Sequence, residues 1–514
     1  MTPKRRTRAF VLSMTISFIF PATGAYAQES ARDWYNAGKK AVERAKRLKP
    51  VGSHAKNVIL FIGDGMGITT VTASRILEGQ RRGESGEENL LSFETFPFTA
   101  LVKTYTVDMQ TPDSAGTMTA IATGIKSRGW MLSLDPNATF ENPVTARNLE
   151  LTTILDLAER AGLATGIVTT ARVTHATPAA LYAHSPSRFW EDDTWLTERA
   201  KTAAYPDIAR QLIDYAEGNG IEVVLGGGRA SFLPETVADP EYPQQTGLRK
   251  DGRNLIKKWS SRPHTSFVWN RAGFDALIPG KVGPVLGLFE PSHMQFEHDR
   301  DTSAHGEPSL AEMTAKAVAI LSRNKNGFFL MVEGGRIDHA HHLNNAFRAL
   351  DETVALSDAV RTATKKTDRR ETLIIVTADH SHVLTMGGYA GRGNPILGLV
   401  GAKGEATNPL WKQYNRTLDA KRFTALAYGN GIGGAHENQP SPLNEAAATN
   451  PDYRQISAAP KVIETHGGQD VAVYADGPDA QLFHGVIEQN VLFHVMVDAL
   501  GLPGGAPDAR TLSN

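Results

Sequence analysis

Short apolar runs rich in β-forming residues recur at 57–62, 164–170, 221–225, 328–332, 373–377 and 470–474, each of strand length and apolar enough to be covered on both faces. Between them, 151–161, 208–216, 310–321, 346–362 and 485–500 carry apolar residues at helical spacing. This alternation predicts an α/β fold, a central and mostly parallel sheet flanked by helices. In such sheets ligands collect beyond the carboxyl ends of the strands, so the polar residues that directly follow a strand are where chemistry is expected. Residues 33–48 read as a basic amphipathic helix set off by Pro50 and Gly52, a candidate for clasping a partner subunit. From about 391 to 461 the text changes to Gly, Pro, Asn and Ala with little periodicity. That is too long for an ordinary connection and predicts a subdomain inserted in a single domain spanning 28–514.

The amino terminus has a different character. Lys4, Arg5, Arg6 and Arg8 precede an apolar run over 9–20, and Ala25-Tyr26-Ala27 supplies a small-residue cleavage pattern. Residues 1–27 therefore read as a secretory signal, and the protein is expected to be exported, periplasmic or secreted. The run is short for a bilayer span and is followed by Pro21 and Gly24, so no stable membrane anchor is expected. The Arg5-Arg6 pair leaves twin-arginine and general export both open. Lys and Arg total 54 against 55 for Asp and Glu, without the basic excess that neutralises a phosphate backbone, so nucleic acid is not an expected partner. Loss of the signal removes four cations and leaves a mildly acidic chain. Cysteine is absent, which excludes disulfides, thiol nucleophiles and thiolate metal sites together. Any metal must sit on histidines and carboxylates.

The first apolar run ends in Gly63-Asp64-Gly65-Met66-Gly67, a carboxylate among glycines that suits either a helix cap or a metal ligand. The run at 328–332 continues into Glu333 and then Asp338-His339-Ala340-His341-His342. On a helix, Asp338 and His342 share a face, the pairing that a zinc-like ion needs. The run at 373–377 delivers Asp379, His380 and His382, and His466 precedes the last run. Seven of the 16 histidines, at 175, 339, 341, 342, 380, 382 and 466, fall in these few segments. Such clustering implies a site for several metal ions with oxygen and nitrogen ligands. His341 and His382 each neighbour a better-placed histidine and are expected behind the ligands. Ser114, in Asp113-Ser114-Ala115-Gly116, opens a helical stretch. By itself it is as good an N-cap as a nucleophile, but beside metal ions its hydroxyl can be deprotonated without a histidine base.

Taken with His175-Ala-Thr177, these segments resemble alkaline phosphatase, in order and spacing, over nearly all of 28–514. Gly335-Arg336-Ile337-Asp338-His339 and Gly287-Leu288-Phe289-Glu290-Pro291 read most like the animal-type branch. The resemblance implies hydrolysis of phosphate monoesters through a phosphoserine on Ser114, with broad specificity, an alkaline optimum and a homodimer whose inserted, crown-like subdomain lies at the subunit contact. It implies two zinc ions, one on Asp338, His342 and His466 and one on Asp64, Asp379 and His380, with a magnesium ion on Asp64, Thr177 and Glu333. Arg188 would clamp two phosphate oxygens and Asp113 would orient it, while His175 and His339 would sit around the third ion. A calcium ion is implied on Glu241, the Phe289 carbonyl, Glu290 and Glu307, where the last is Glu against the usual Asp. Sulfatases and phosphodiesterases share the metal carboxylates, but Ser114-Ala115-Gly116-Thr117 does not match a sulfatase nucleophile motif. A phosphosugar mutase would not carry an export signal, and a metal or phosphate scavenger would have no use for Ser114.

Overall fold

The computed structural model describes residues 30–52, 54–401, 414–418, 420–433 and 443–503. The expected signal segment 1–27 and, within the expected insertion, residues 402–413, 419 and 434–442 lie outside them. The described residues divide into two units between residues 48 and 49. In the first, Ala31–Lys46 is a helix opened by a Ser30–Asp33 capping box and exposed throughout. That box starts the helix two residues ahead of the expected 33–48, because Ser30 and Asp33 satisfy each other's backbone N–H groups.

The second unit contains fifteen strands among the described residues. In chain order they are β1 Asn57–Gly63, β2 Phe98–Lys103, β3 Ala164–Arg172, β4 Val223–Gly227, β5 Ser266–Val268, β6 Val285–Leu288, β7 Phe328–Gly334, β8 Thr372–Thr377, β9 Ser381–His382, β10 Leu384–Met386, β11 Leu426–Gly431, β12 Ser457–Pro460, β13 His466–Gly467, β14 Val471–Asp476 and β15 Val486–Glu488. Ten of them form one sheet in the order β15-β2-β14-β8-β1-β7-β3-β4-β6-β5. All neighbours are parallel except β14, which runs antiparallel to both β2 and β8. The central strands β7 and β8 are buried along their whole length and β1 almost so, as continuous apolar runs covered by helices on both faces should be.

Polar caps set where the helices begin. Ser309 and Glu312 box the start of Leu310–Leu321, which packs on β3 and β7 and against Ala346–Lys366. Thr153 and Asp156 do the same for Ile154–Arg160, which is why that helix starts three residues later than its apolar spacing suggests. The stretch 485–500, expected as one helix, is divided into β15 and the helix Val491–Ala499. The β-branched Val486 and Ile487 pair with Leu101 and Val102 of β2, so the sheet edge claims them.

The expected insertion at 391–461 has described parts only. A small sheet, β10-β11-β12, begins ahead of residue 391. Leu384, Leu426, Tyr428, Ile396 and Leu397 pack with Ile76 and Leu77 of the helix Ile68–Arg81 and with Leu350 of Ala346–Lys366. A two-stranded ribbon completes the picture, with β13 pairing β9 antiparallel so that His466 faces His382.

Candidate active site

The register of the central strands brings the expected chemistry to one edge. Gly63 of β1 lies level with Gly334 of β7, and Ile62 with Glu333 and Thr377. Asp64, Glu333 and Asp379 therefore emerge together at the carboxyl ends of three adjacent strands. Gly65 turns the chain after Asp64 at φ 69°, and a Cβ there would collide with the His382 ring, so both conformation and space require glycine.

Helix starts supply the next groups. Asp113 caps the buried helix Ser114–Thr123, accepting from the N–H groups of Ala115 and Gly116. Its Oδ2 also accepts from Arg188 Nη1 at 3.1 Å and its Oδ1 from the Trp130 N–H at 2.9 Å. The Arg188 Nη2 donates to His175 Nε2 at 3.0 Å. Ser114 Oγ lies 3.0 Å from His380 Nε2. Ser114, Asp113, Arg188, Asp338, His342 and His466 all line one cavity of about 520 Å³.

The hydrogen bonds decide which histidines present a lone pair to it. His342 Nδ1 donates to the Glu464 carbonyl at 2.6 Å and His466 Nδ1 to the Pro112 carbonyl at 2.8 Å. Each ring thereby turns a bare Nε2 inward, and the two Nε2 atoms lie 3.3 Å apart and each 3.3 Å from Asp338 Oδ1. His382 is different. Its Nδ1 meets Glu464 Oε2 at 2.5 Å and its Nε2 meets Asp338 Oδ1 at 2.7 Å. Burial depresses its pKa, but Glu464 and Asp338 outweigh burial and raise it to about 10. Both ring nitrogens of His382 are thus engaged by carboxylates and neither is turned free into the cavity, although its ring lies with Asp338, His342 and His466. His341 is buried between Thr70 Oγ1 at 3.0 Å and Tyr428 Oη at 2.8 Å, away from the ligand atoms.

Around Asp64 the pattern is of oxygen atoms lacking partners. Both Asp64 carboxylate oxygens, Glu333 Oε1 and Thr177 Oγ1 are buried without a hydrogen-bond partner, a costly state for a native interior unless a cation supplies the missing interaction. Burial first, then the charges of Asp379, Asp338 and Glu333, pushes the Asp64 carboxyl well above its ordinary range. Burial lifts Glu333 to about 7 against the opposing hydroxyl of Thr169, which donates to its Oε2. His380 Nε2 approaches Asp64 Oδ1 at 3.4 Å and Asp379 Oδ2 at 3.3 Å. Asp64, Asp338 and His380 form one set whose ligand atoms all lie within 4.8 Å of one another, and Asp64, His175 and Glu333 form another. Because a guanidinium only donates, His175 Nε2 must accept from Arg188, which leaves the proton of the neutral ring on Nδ1. The His175 Nδ1 is itself buried without a hydrogen-bond partner, like the oxygens of Asp64, Glu333 and Thr177 around it. His339 is held by Arg336 at 3.1 Å, its ring 4.0 Å from that of His293 and 5.4 Å from that of His175.

The residues of the expected calcium position behave as a separate group. Glu241 Oε2 is taken by the buried Arg229 at 2.8 Å, and Glu290 Oε1 accepts from Gln295 and Tyr242. Glu307 Oε2 is buried without a partner, and burial followed by the charge of Glu290 pushes its pKa to about 9. These carboxylates are not among the sets whose ligand atoms gather within 4.8 Å.

Comparison with known proteins decides the family. The alkaline phosphatase family model matches residues 55–502. The chain belongs to the alkaline phosphatase family. It is 43% identical to the alkaline phosphatase tissue-nonspecific isozyme of Gallus gallus over 505 residues, covering 96% of this chain and 93% of that protein. The solved Thermus thermophilus alkaline phosphatase superposes with a TM-score of 0.62 at 24% identity, covering 89% of this chain and 94% of the other. A TAB5 alkaline phosphatase mutant described as having Mg bound matches with a TM-score of 0.59 at 20% identity over 88% and 99% of the two chains. Like its family, this alkaline phosphatase is a metal-binding phosphomonoesterase that hydrolyses phosphate monoesters.

Three features of the alkaline phosphatase site are missed by sequence reasoning. Glu464 holds both His382 and, through its carbonyl, His342, and nothing in Ile463-Glu464-Thr465 marks it beyond its nearness to His466. His293 joins the His175 and His339 rings from a distant loop. Gln489 Nε2 donates to the Asp379 carbonyl at 2.6 Å, from a segment that reads as helix interior.

Proposed function

We propose that this chain hydrolyses phosphate monoesters through a phosphoserine at Ser114, with two zinc ions and one magnesium ion in place. The reading rests on one observation: Ser114 Oγ and the Arg188 guanidinium line the same cavity as buried metal-type ligand atoms, some of which have no protein partner. Asp338, His342 and His466 would hold the first zinc through one carboxylate oxygen and two Nε2 atoms. Asp64, Asp379 and His380 would hold the second, and Asp64, Thr177 and Glu333 an all-oxygen set suited to magnesium. Bound there, the ions lower the pKa of a coordinated hydroxyl or water and screen charge on the attacking and departing oxygens.

The protein's own groups do the rest. Arg188 binds two phosphoryl oxygens with the edge of its guanidinium that faces the cavity, while Asp113 and His175 fix its plane. Ser114 Oγ forms a bond to phosphorus as the bond from phosphorus to the ester oxygen breaks, giving phosphoserine and the alcohol, with the serine proton passed through solvent to the departing oxygen. Water then displaces Ser114 from phosphorus, releasing inorganic phosphate and restoring the hydroxyl. Recognition centres on the phosphoryl group, so many alcohols are accepted, and the need for an alkoxide and a hydroxide favours alkaline pH. A calcium ion on Glu241, the Phe289 carbonyl, Glu290 and Glu307 is part of the proposal, supported by the unpartnered Glu307 Oε2. So are export of the protein, processing after residue 27, and a homodimer using the exposed helix Ala31–Lys46 and the insertion at 391–461.

The test is hydrolysis of p-nitrophenyl phosphate by the purified protein from pH 7 to 11, before and after chelation, with zinc and then magnesium returned. Activity that climbs with pH, vanishes with the chelator and returns with zinc is expected. Ser114→Ala should lose most turnover while still binding zinc. Turnover of a diester or sulfate ester alone, under every metal tried, would withdraw the assignment.

A further inference from the structure

Beside Arg188, the cavity carries an apolar feature that phosphoryl chemistry does not use. The Trp130 and Phe189 rings stack at 5.8 Å between centroids and 24° between planes, yet remain 41% and 47% exposed. Both line the cavity that holds Ser114 and Arg188, and the half-exposed Ile463 lines it too. Isolated exposed aromatics are common on a surface and mean little. A stacked pair lining a catalytic cavity is a different matter, because it offers partly exposed ring surface to a group bound beside Arg188.

The backbone shows how firmly this face is set. Trp130 adopts φ 66°, a left-handed conformation that is costly for a bulky residue and persists only where its surroundings enforce it. Here the Trp130 N–H donates to Asp113 Oδ1 at 2.9 Å, and its carbonyl accepts from the Arg188 N–H at 2.8 Å. Phe189 follows Arg188 directly. The two rings are thus carried by the same short segments that fix Asp113 and Arg188, and they keep a constant position relative to the phosphoryl pocket.

We propose that Trp130 and Phe189 form a shelf that stacks against a planar aromatic alcohol group, so that aryl and nucleoside monophosphates are favoured over esters of small polyols. This rests on the phosphomonoesterase reading above and adds a preference to it. Stacking on the shelf persists from the bound ester to the transition state, so it lowers KM for ring-bearing esters and leaves kcat largely alone.

The experiment compares naphthyl phosphate and glycerol phosphate as substrates of the metal-replete wild-type protein, Trp130→Ala, Phe189→Ala and the ring-preserving Trp130→Phe. The ratio of kcat/KM for naphthyl over glycerol phosphate should fall roughly tenfold in either alanine variant, through KM, and should largely survive in Trp130→Phe. If Trp130→Ala does not fold, Phe189→Ala alone carries the comparison, since its side chain makes no hydrogen bond to the catalytic groups. An unchanged ratio with both esters still hydrolysed would overturn the shelf and leave the phosphatase reading intact. A wild-type protein that hydrolyses neither ester would remove both.

Discussion

Arg188 gives Nη1 to Asp113 and Nη2 to His175, so its plane is fixed before any substrate arrives. A lysine there would keep the charge but lose the planar fork that pairs with two phosphoryl oxygens, and it would leave either Asp113 Oδ2 or His175 Nε2 without its donor. Arg188→Lys is expected to lower kcat/KM for p-nitrophenyl phosphate by roughly 10- to 100-fold, mainly through KM, with zinc content unchanged. A variant within twofold of wild type would show that Arg188 does not hold the phosphoryl group. At this scale the sequence is legible where a group follows an apolar run at once, as Asp64, Glu333 and Asp379 do. It is silent where the decisive partner is distant in the chain. Nothing in Asp379-His380-Ser381-His382 tells which histidine offers a lone pair, because Glu464, 82 residues from His382, settles that by closing its Nδ1. The shelf has the same origin, since Trp130 and Phe189 are brought together by the Arg188 to Trp130 backbone bond and by Asp113, which both segments share.

Elements are legible when they are buried on both faces or clearly amphipathic. Leu310–Leu321 matches its apolar spacing residue for residue, whereas β15 and β5 at the two edges of the ten-stranded sheet, and β2 and β6 next to them, go unread because they lack a long apolar run. The expected strand at 470–474 forms as β14, but its antiparallel direction follows from pairing with β2 and β8 and has no local signature. Side chains that tie elements together are equally hidden in the sequence. Glu159, in the last turn of Ile154–Arg160, accepts from Thr165 Oγ1 of β3 at 2.5 Å and from the Asn219 and Gly220 N–H groups at 3.2 Å. Burial outweighs these donors and raises its pKa to about 7. In the unfolded chain it titrates near 4.5, so between these values the unfolded state has released a proton that the folded state still holds, and stability falls as pH rises. Wild type should therefore lose on the order of 2 kcal/mol relative to Glu159→Gln between pH 4.5 and 7, after allowance for solvent screening, with no further change above that window. Urea unfolding of the two proteins at matched pH measures this, and parallel curves would show that Glu159 is ionised in the folded state throughout.

For the molecule as a whole, the placement of the metal-type ligands makes the site part of the scaffold. Asp64, Glu333 and Asp379 extend from β1, β7 and β8 at the middle of the ten-stranded sheet, and Asp338 and His342 from the adjoining helix Arg336–His342. The four carboxylates are buried and His342 is partly so, and burial already works against ionisation of Asp64, Glu333 and Asp379. Without cations these carboxylates repel one another or take up protons, and either change acts on the central strands. A cation present at 100 times its Kd contributes about 3 kcal/mol per site to the folded state. No disulfide can share the load, since the chain has no cysteine. Chelation at pH 8 should therefore lower the temperature of the main calorimetric transition, without splitting off a small separate one, and zinc with magnesium should restore it. A phosphine reductant at the same pH should leave that temperature where it was. Should chelation leave the main transition in place, the ions would not be braced against the sheet, and the unpartnered oxygens of Asp64 and Glu333 would have to be satisfied by protons and water instead.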